Sequence, residues 1–413
     1  MTRDSQCFSP PAFPDRLPRM ILVINSGSSS IKFALYESPN QKLTLGGIAE
    51  SLHTPQSVLK HRFHQIDETT PLPHADHQTA LEQIITLLRS KFGEPALTGI
   101  GHRVVHGGDF FGKPTLIGKQ VVQKIETLCE LAPLHNPANL LGIRAMQTLF
   151  PGVPQFAVFD TAFHQTMPPK AFRYAVPEAF YRDHGVRRYG AHGTSHEFVA
   201  NRAAEILERP LAELQLITVH LGNGCSACAI RDGRSADTTM GFTPQEGMMM
   251  GTRSGDVDPT LHHYLATKTG ESLEAITQKL TRESGLLGVS ELTNDCRELE
   301  LRANAGHEKA RFALELFCYR AAKHVLGMAA ALSRLDALVF TGGIGENSPF
   351  IRRTIVGHLA MLGLNLVPAA NESNGQHTNG QISTGDGPSV LVVKTDEELA
   401  IARQTADLVS GGQ

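Results

Sequence analysis

A chain of 413 residues is longer than a single hydrophobic core ordinarily spans, so two domains are expected. Its formal net charge of -3 offers no electrostatic basis for holding nucleic acid or an acidic membrane surface, and neither is expected as a partner. The composition, 41% hydrophobic and 19% charged, is that of a globular protein, and no apolar run approaches the ~20 residues that cross a bilayer.

In chain order, "MTRDSQCFSPPAFPDRLPR" has no apolar stretch and four prolines, so residues 1–19 are expected to be a disordered extension or a start assigned too early. "MILVINSGSSSIKFALYE" reads as strand, serine-rich turn, strand. Hairpins commonly turn on Asn-Gly or Asp-Gly. Three serines followed by Lys32 suggest an anion cradle instead, although a polar surface hairpin accounts for the same residues. "LTLGGIAES" predicts a third strand, residues 59–73 a loop or edge hairpin, and "HQTALEQIITLLRSKF" an amphipathic helix. "LTGIGHRVVHGG" predicts a strand closing on glycine, "NPANLLGIRAMQTLF" a helix, and "PQFAVFDTAFH" a buried strand ending at Asp160.

The same order then recurs. "LITVHLGNGCSACAIRDGRSAD" sets Ile217 against Ile21, Gly222 against Ser26, Gly224 against Ser28 and Ala229-Ile230 against Phe33-Ala34. Long helices follow, then "LDALVF", the glycine turn "TGGIGEN" and a further helix. The expectation is one α/β unit present twice, the copies facing each other across a cleft. Six scattered cysteines (Cys7, Cys129, Cys225, Cys228, Cys296, Cys318) fit free thiols in a reducing cytosol. Cys225 and Cys228 are three apart on a predicted strand and point to opposite faces, which argues against a zinc or redox pair.

Three helix starts are predicted. Ser348 as N-cap with Pro349 in the first helical position begins one, with Gly342, Gly343 and Gly345 ahead of it to let a phosphate approach. Thr194 and Glu197 form a capping box that leaves His192 and Gly193 in the preceding loop, and Thr395 and Glu398 form another. His192 and His196 are four apart, but no HExxH glutamate accompanies them, so His196 is expected to pack and His192 to face a ligand. Arg103 and Arg253 stand among glycines and histidines, where a guanidinium fork suits a carboxylate or a transferring phosphoryl group, although a surface ion pair uses the same residue.

Together these segments resemble the acetate kinase family, of the acetate and sugar kinase/Hsp70/actin superfamily. The resemblance lies in "INSGSSSIKF", "GHRVVHGG", "LAPLHNPANL", "VFDTAFHQTMP", "RRYGAHGTSH", "HLGNG", "DTTMGFTPQEG", "MGTRSGDVDP", "ESGLLG", "FTGGIGENS" and "TDEEL", in the family's order from residue 24 to 399. It implies two duplicated ribonuclease H-like (actin-like ATPase) domains of α/β class around a central cleft. Residues 20–160 with 398–413 would form the N-terminal domain and 161–397 the C-terminal nucleotide-binding domain.

The implied activity is reversible phosphoryl transfer from ATP to acetate, giving acetyl phosphate and ADP by direct in-line displacement. The implied cofactor is Mg2+, with Mn2+ able to replace it. A cytoplasmic homodimer is also implied. Asn25 and Glu397 match the metal residues. Lys32, His220, Leu221, Gly222, Asn223, Gly224, Asp295, Cys296, Arg297, Gly343, Ile344, Gly345, Glu346 and Asn347 match nucleotide positions. Arg103, Val105, Leu134, Ala191 and Pro244 match acyl-substrate positions. Asp160, His192, Arg253, Arg103 and His135 match catalytic ones. A carboxylate is already ionised at neutral pH and needs no general base, so alignment and charge neutralisation suffice. Asp160 is therefore expected to orient Arg103 or metal-bound water.

Departures from the family pattern are Cys296 where an aromatic is common, expected to loosen adenine packing, Ala191 where some relatives carry Phe, and Asp396 in place of Asn. Val105 matches acetate-specific members. Rival assignments are a propionate or other short-chain acyl kinase, a nucleotide-gated binding protein, and a sugar kinase, which would need a base for its hydroxyl nucleophile.

Overall fold

The computed structural model describes residues 19–38, 40–133 and 135–411. The expected extension, all but Arg19, and Leu134 lie outside the described residues. The chain divides into two compact units, the first ending at Ala162 and resuming at Asp396, the second running from Phe163 to Thr395.

The first unit holds an eight-stranded sheet. Its strands are β1 (Arg19–Ser26), β2 (Ile31–Ser38), β3 (Lys42–Glu50), β4 (Val58–Phe63), β5 (Ile66–Pro71), β6 (Leu97–Val104), β7 (Thr115–Leu116) and β8 (Gln155–Phe159), in the order β5-β4-β3-β2-β1-β6-β8-β7. β1 to β5 form an antiparallel meander, while β6 runs parallel to β1 and β8 parallel to β6. Residues 59–73 thus supply an edge hairpin, and every side chain of β5 is exposed.

β1 shows why the sheet must be covered twice. Met20, Leu22 and Ile24 pack with Ile84 and Leu88 of helix α1 (His77–Phe92) and Met146 of helix α2 (Asn136–Leu149). Ile21 and Val23, on the opposite face, pack with Ile401 and Ala402 of the C-terminal helix, Glu397–Gly411. That helix lies so close to β6 that a Cβ on Gly101 would fall 2.5 Å from Thr405 Oγ1.

The second unit carries a five-stranded sheet of β9 (Gln215–Leu221), β10 (Cys225–Arg231), β11 (Arg234–Thr238), β12 (Ala337–Thr341) and β13 (Ser389–Val392). Its order is β11-β10-β9-β12-β13, with an antiparallel meander and then two parallel strands. The run β3-β2-β1-β6-β8 of the first unit has the same order and the same strand senses. Its main helices are α3 (Gly193–Ile206), α4 (Cys296–Asn304), α5 (Glu308–Ala329), α6 (Gly342–Asn347) and α7 (Pro349–His358). Cys225 and Cys228 are both buried in β10, Cys225 in the core with Cys296 and Cys318, Cys228 beside Ser235.

Four local expectations are corrected. The ungapped match of the two halves slips at the turn: Ile24 pairs with Phe33 in one ladder and His220 with Ser226 in the other, so the second turn is three residues tighter and Phe33 corresponds to Ser226, not Ala229. Thr194 is not the N-cap of α3; the helix starts at Gly193, with His192 as a left-handed N-cap at φ 58°. Asp396, not Thr395, caps the C-terminal helix, its Oδ1 accepting from Leu399 N at 2.9 Å while the Thr395 hydroxyl pairs with Ser195. The glycine turn is itself helical, forming α6 before Ser348 caps α7 as expected.

Candidate active site

In the first unit the candidate residues gather at the carboxyl ends of parallel strands, where open α/β sheets place ligands. Asn25 is the penultimate residue of β1, Arg103 lies on β6, Asp160 follows β8 and Glu397 opens the C-terminal helix. Arg103 donates to both oxygens of buried Asp160, Nε to Oδ1 at 3.1 Å and Nη2 to Oδ2 at 2.5 Å. Its Nη1 donates to Asn25 Oδ1 at 3.3 Å, and Glu397 Oε2 stands 3.6 Å from Nε. Burial alone would lower the guanidinium pKa, but Asp160 and Glu397 outweigh it and raise it. Arg103 is thus a fixed cation whose plane is set by a forked carboxylate.

Lys32 faces Asn25 across the β1–β2 ladder. His135 is the N-cap of α2. Two asparagines that sequence reasoning passed over tie that helix to the strand ends. Asn139 accepts from Val105 N at 3.0 Å and donates to Ser26 O at 2.6 Å, and Asn136 bonds both backbone groups of His106. Their signal was the pair of amides in the first turn of a helix, where Asn is otherwise a poor choice.

In the second unit His220 and Leu221 end β9, and the Gly222–Gly224 turn closes with a Gly222 N–H to Gly224 O bond of 3.0 Å. A Cβ on Gly224 would meet His192 Cε1 at 3.3 Å and Arg253 Nη1 at 3.6 Å, so both of these candidates border this turn. Arg253 Nη1 donates to Pro244 O at 3.0 Å, and burial lowers the Arg253 pKa. His192 Nδ1 is 2.9 Å from Ser226 Oγ, and its ring stacks on His220 at 4.3 Å between centroids. Ala191, just before it, offers its carbonyl to His164 Nε2 at 3.0 Å. His196 is fully buried between Thr218 and Ser226, a packing histidine as expected.

Gly343, Ile344, Gly345, Glu346 and Asn347 all lie in α6, whose first residue, Gly342, has φ 76°. A Cβ on Gly342 would sit 2.7 Å from Leu221 O, so glycine is required where this turn passes the end of β9. The Glu346 carboxylate is turned to the backbone, accepting from Gly342 N at 3.1 Å and Thr395 N at 3.0 Å. Fully buried Arg352, which sequence reasoning missed, holds the far end of α6 by donating to Gly345 O at 2.8 Å, and it also binds Asn371 and Asn374.

Asp295 caps α4 and pairs with exposed Arg297, and neighbouring Asn294 donates to Asn223 Oδ1 at 2.8 Å. Cys296 is corrected: its side chain enters the core with Cys225 and Cys318, and burial followed by Glu300 raises its thiol pKa, so it cannot loosen the packing of a base.

Among the described residues no set of three or more His, Cys, Asp or Glu is arranged as a metal cage. The Asn25 amide oxygen with the Asp160 and Glu397 carboxylates is a hard-oxygen set, which suits an ion bound through one or two carboxylates plus substrate phosphates.

Comparison with known proteins gives consistent matches. The sequence profile of the acetokinase family matches residues 20–403. An acetate kinase of Deinococcus radiodurans is 54% identical over 390 residues, 94% of this chain and 98% of that one. The acetate kinase of Chromobacterium violaceum is 51% identical, covering 94% and 98%. Among solved structures, a propionate kinase from Francisella tularensis superposes with TM-score 0.90 at 42% identity, covering 94% of this chain and 99% of that one. Porphyromonas gingivalis acetate kinase superposes with TM-score 0.87 at 41% identity, covering 94% and 98%.

Proposed function

The chain belongs to the acetokinase family, and from that premise we propose that it transfers the terminal phosphoryl group of ATP to acetate, reversibly, giving acetyl phosphate and ADP by direct in-line displacement. The observation that carries this function is the Arg103–Asp160 fork. It is a guanidinium of fixed plane at the carboxyl ends of β1, β6 and β8, able to turn its remaining N–H groups to a substrate carboxylate. Val105, Ala191, Pro244 and Leu134 are assigned to acyl recognition because they match the family's substrate positions. Asp160 orients Arg103 and takes no proton, because the nucleophile arrives ionised.

The nucleotide is assigned to Lys32 and to the second unit's loops: residues 220–224, 295–297 and 343–347. Here the Asn223 amide, linked to Asn294, and the backbone of α6 receive the phosphates and base. His192 and Arg253 donate to the oxygens of the phosphoryl group in flight, and His135 steadies the acyl side. Mg2+ would be held by Asn25 and Glu397, with Mn2+ able to replace it; when bound it neutralises phosphate charge.

A cytoplasmic homodimer is part of the same proposal. Exposed Phe312 and Tyr319 on α5 and Leu301 on α4 supply apolar contact surface, and no helix among the described residues is long and apolar enough to cross a membrane.

A hydroxamate assay with ATP and either acetate or propionate tests the function. Acetate should have the higher kcat/KM, and absence of any acyl phosphate would refute the proposal. A second reading, propionate as the preferred acid, is favoured by small Ala191 and by the superposition on a propionate kinase. A clear propionate preference in the same assay would establish it.

A further inference from the structure

We propose that Ser226 is a positioning residue for His192: its hydroxyl donates to His192 Nδ1 and so keeps the proton of that ring on Nε2. The inference rests on the role given to His192 in phosphoryl transfer and supplies what that role requires, a donor at a defined nitrogen.

Four side chains of the second unit form one line. Thr218 Oγ1 lies 2.7 Å from His196 Nδ1, His196 Nε2 lies 2.8 Å from Ser226 Oγ, and Ser226 Oγ lies 2.9 Å from His192 Nδ1. Thr218, His196 and Ser226 are completely buried. Burial, with His164 and His220 nearby, holds the His196 pKa well below the ordinary histidine value, so its ring is neutral and carries one N–H. A hydroxyl has one proton and a neutral imidazole has one donor and one acceptor nitrogen, so along this line the protons all point one way or all point the other.

The closed end of the line decides the direction. Among the described residues the Thr218 hydroxyl has one hydrogen-bond partner, His196. If Thr218 accepted from His196, its own O–H would be buried with nothing to receive it, at a cost of about 1–3 kcal/mol. Thr218 therefore donates to His196 Nδ1. His196 then carries its proton on Nε2 and donates to Ser226, and the Ser226 proton goes to His192 Nδ1.

His192 then carries its proton on Nε2. That nitrogen lies 3.4 Å from the place a Cβ on Gly224 would occupy, beside Arg253 Nη1 at 3.6 Å. It therefore faces the glycine turn assigned to the phosphates. Two further features favour the arrangement. His192 is the N-cap of α3, so its ring is held at the start of that helix beside the glycine turn. His220, stacked on it, directs its own Nδ1 to Ser195 Oγ at 2.8 Å rather than into the line. A buried neutral histidine and two hydroxyls thus do for His192 what a carboxylate does in other enzymes: they settle which nitrogen donates.

The test uses the whole chain labelled with nitrogen-15 in its histidine rings, read by long-range nitrogen–proton NMR. In the resting protein both His192 and His196 should show a bare Nδ1 and a protonated Nε2. Ser226→Ala should populate both His192 tautomers and lower kcat about tenfold, the loss typical when a group orienting a working side chain is removed, with the nucleotide KM unchanged. Thr218→Val, which keeps the branched shape in β9, should move the His192 tautomers part of the way. A proton on His192 Nδ1 in the unaltered protein overturns the inference, as does a Ser226→Ala variant with wild-type tautomer and kcat. The failures separate cleanly: full kcat in Ser226→Ala beside an impaired His192→Ala refutes the inference alone, whereas a fully active His192→Ala refutes the role of His192.

Discussion

Asp160→Asn changes charge at the base of the Arg103 fork while keeping its shape. The Asp160 residue is 1% exposed and accepts from Arg103 at 3.1 and 2.5 Å. At about 3 Å and an effective dielectric near 20, one unit-charge attraction is worth about 5 kcal/mol. The loss is smaller than that figure, because a neutral amide escapes a desolvation cost of several kcal/mol and Glu397 still stands 3.6 Å from Arg103 Nε. A net destabilisation of about 2–3 kcal/mol follows. The amide oxygen keeps one bond, but its NH2 faces a guanidinium that has no acceptor to offer, so the plane of the fork is no longer held. A displacement of that kind costs kcat/KM for acetate about a hundredfold, while the nucleotide KM stays unchanged. Urea unfolding reads the first quantity and the hydroxamate assay the second. Full turnover would refute the orienting role, and unchanged stability would refute the electrostatic reasoning.

The remaining predictions concern other parts of the molecule. Burial lowers the pKa of His102, His106 and His164 to about 4, below the 6.5 of an unfolded histidine. The unfolded chain therefore gains protons first, and stability should fall as pH drops from 6.5 towards 4, by up to about 3 kcal/mol per histidine; a urea midpoint that stays flat over that window would contradict this. Gly342→Ala forces a Cβ to 2.7 Å from Leu221 O at a positive φ and should destabilise by about 2 kcal/mol or more, with a raised nucleotide KM; a wild-type unfolding midpoint would refute it. Val105→Ala removes two methyl groups from the proposed acyl pocket and should raise the propionate-to-acetate ratio of kcat/KM about tenfold; an unchanged ratio would place Val105 away from the acyl group.

Strand positions were legible in the sequence because each depends on a local apolar pattern that burial enforces. β1 and β9 are continuous apolar runs covered on both faces, and they stand out as such. The placement of Arg103 at a strand end and of His192 ahead of a helix was also legible, since both sit among residues that no amphipathic face needs. What local pattern could not carry was backbone conformation and long-range competition. Thr194 and Glu197 match a capping box, yet a left-handed His192 begins the helix earlier. Thr395 matches another, but its hydroxyl is taken by Ser195, 200 positions away in the chain. Cys296 turned inward because it starts the same inner stripe of α4 as Leu299, a spacing of three that marks one helical face. Ser226 gave no signal at all: a small residue in a buried strand is unremarkable until the two histidines that meet there are in place.

The edge hairpin has a consequence for the protein at high concentration. β5 presents Asp67 and Glu68 to solvent and ends at Pro71, and the opposite margin of that sheet is the two-residue strand β7. Neither rim offers the long, flat, uncharged ladder on which a second chain could build a fibril. Deleting residues 58–71 would bare β3 from Leu45 to Glu50, and the shortened chain should precipitate during refolding where the intact one stays dispersed.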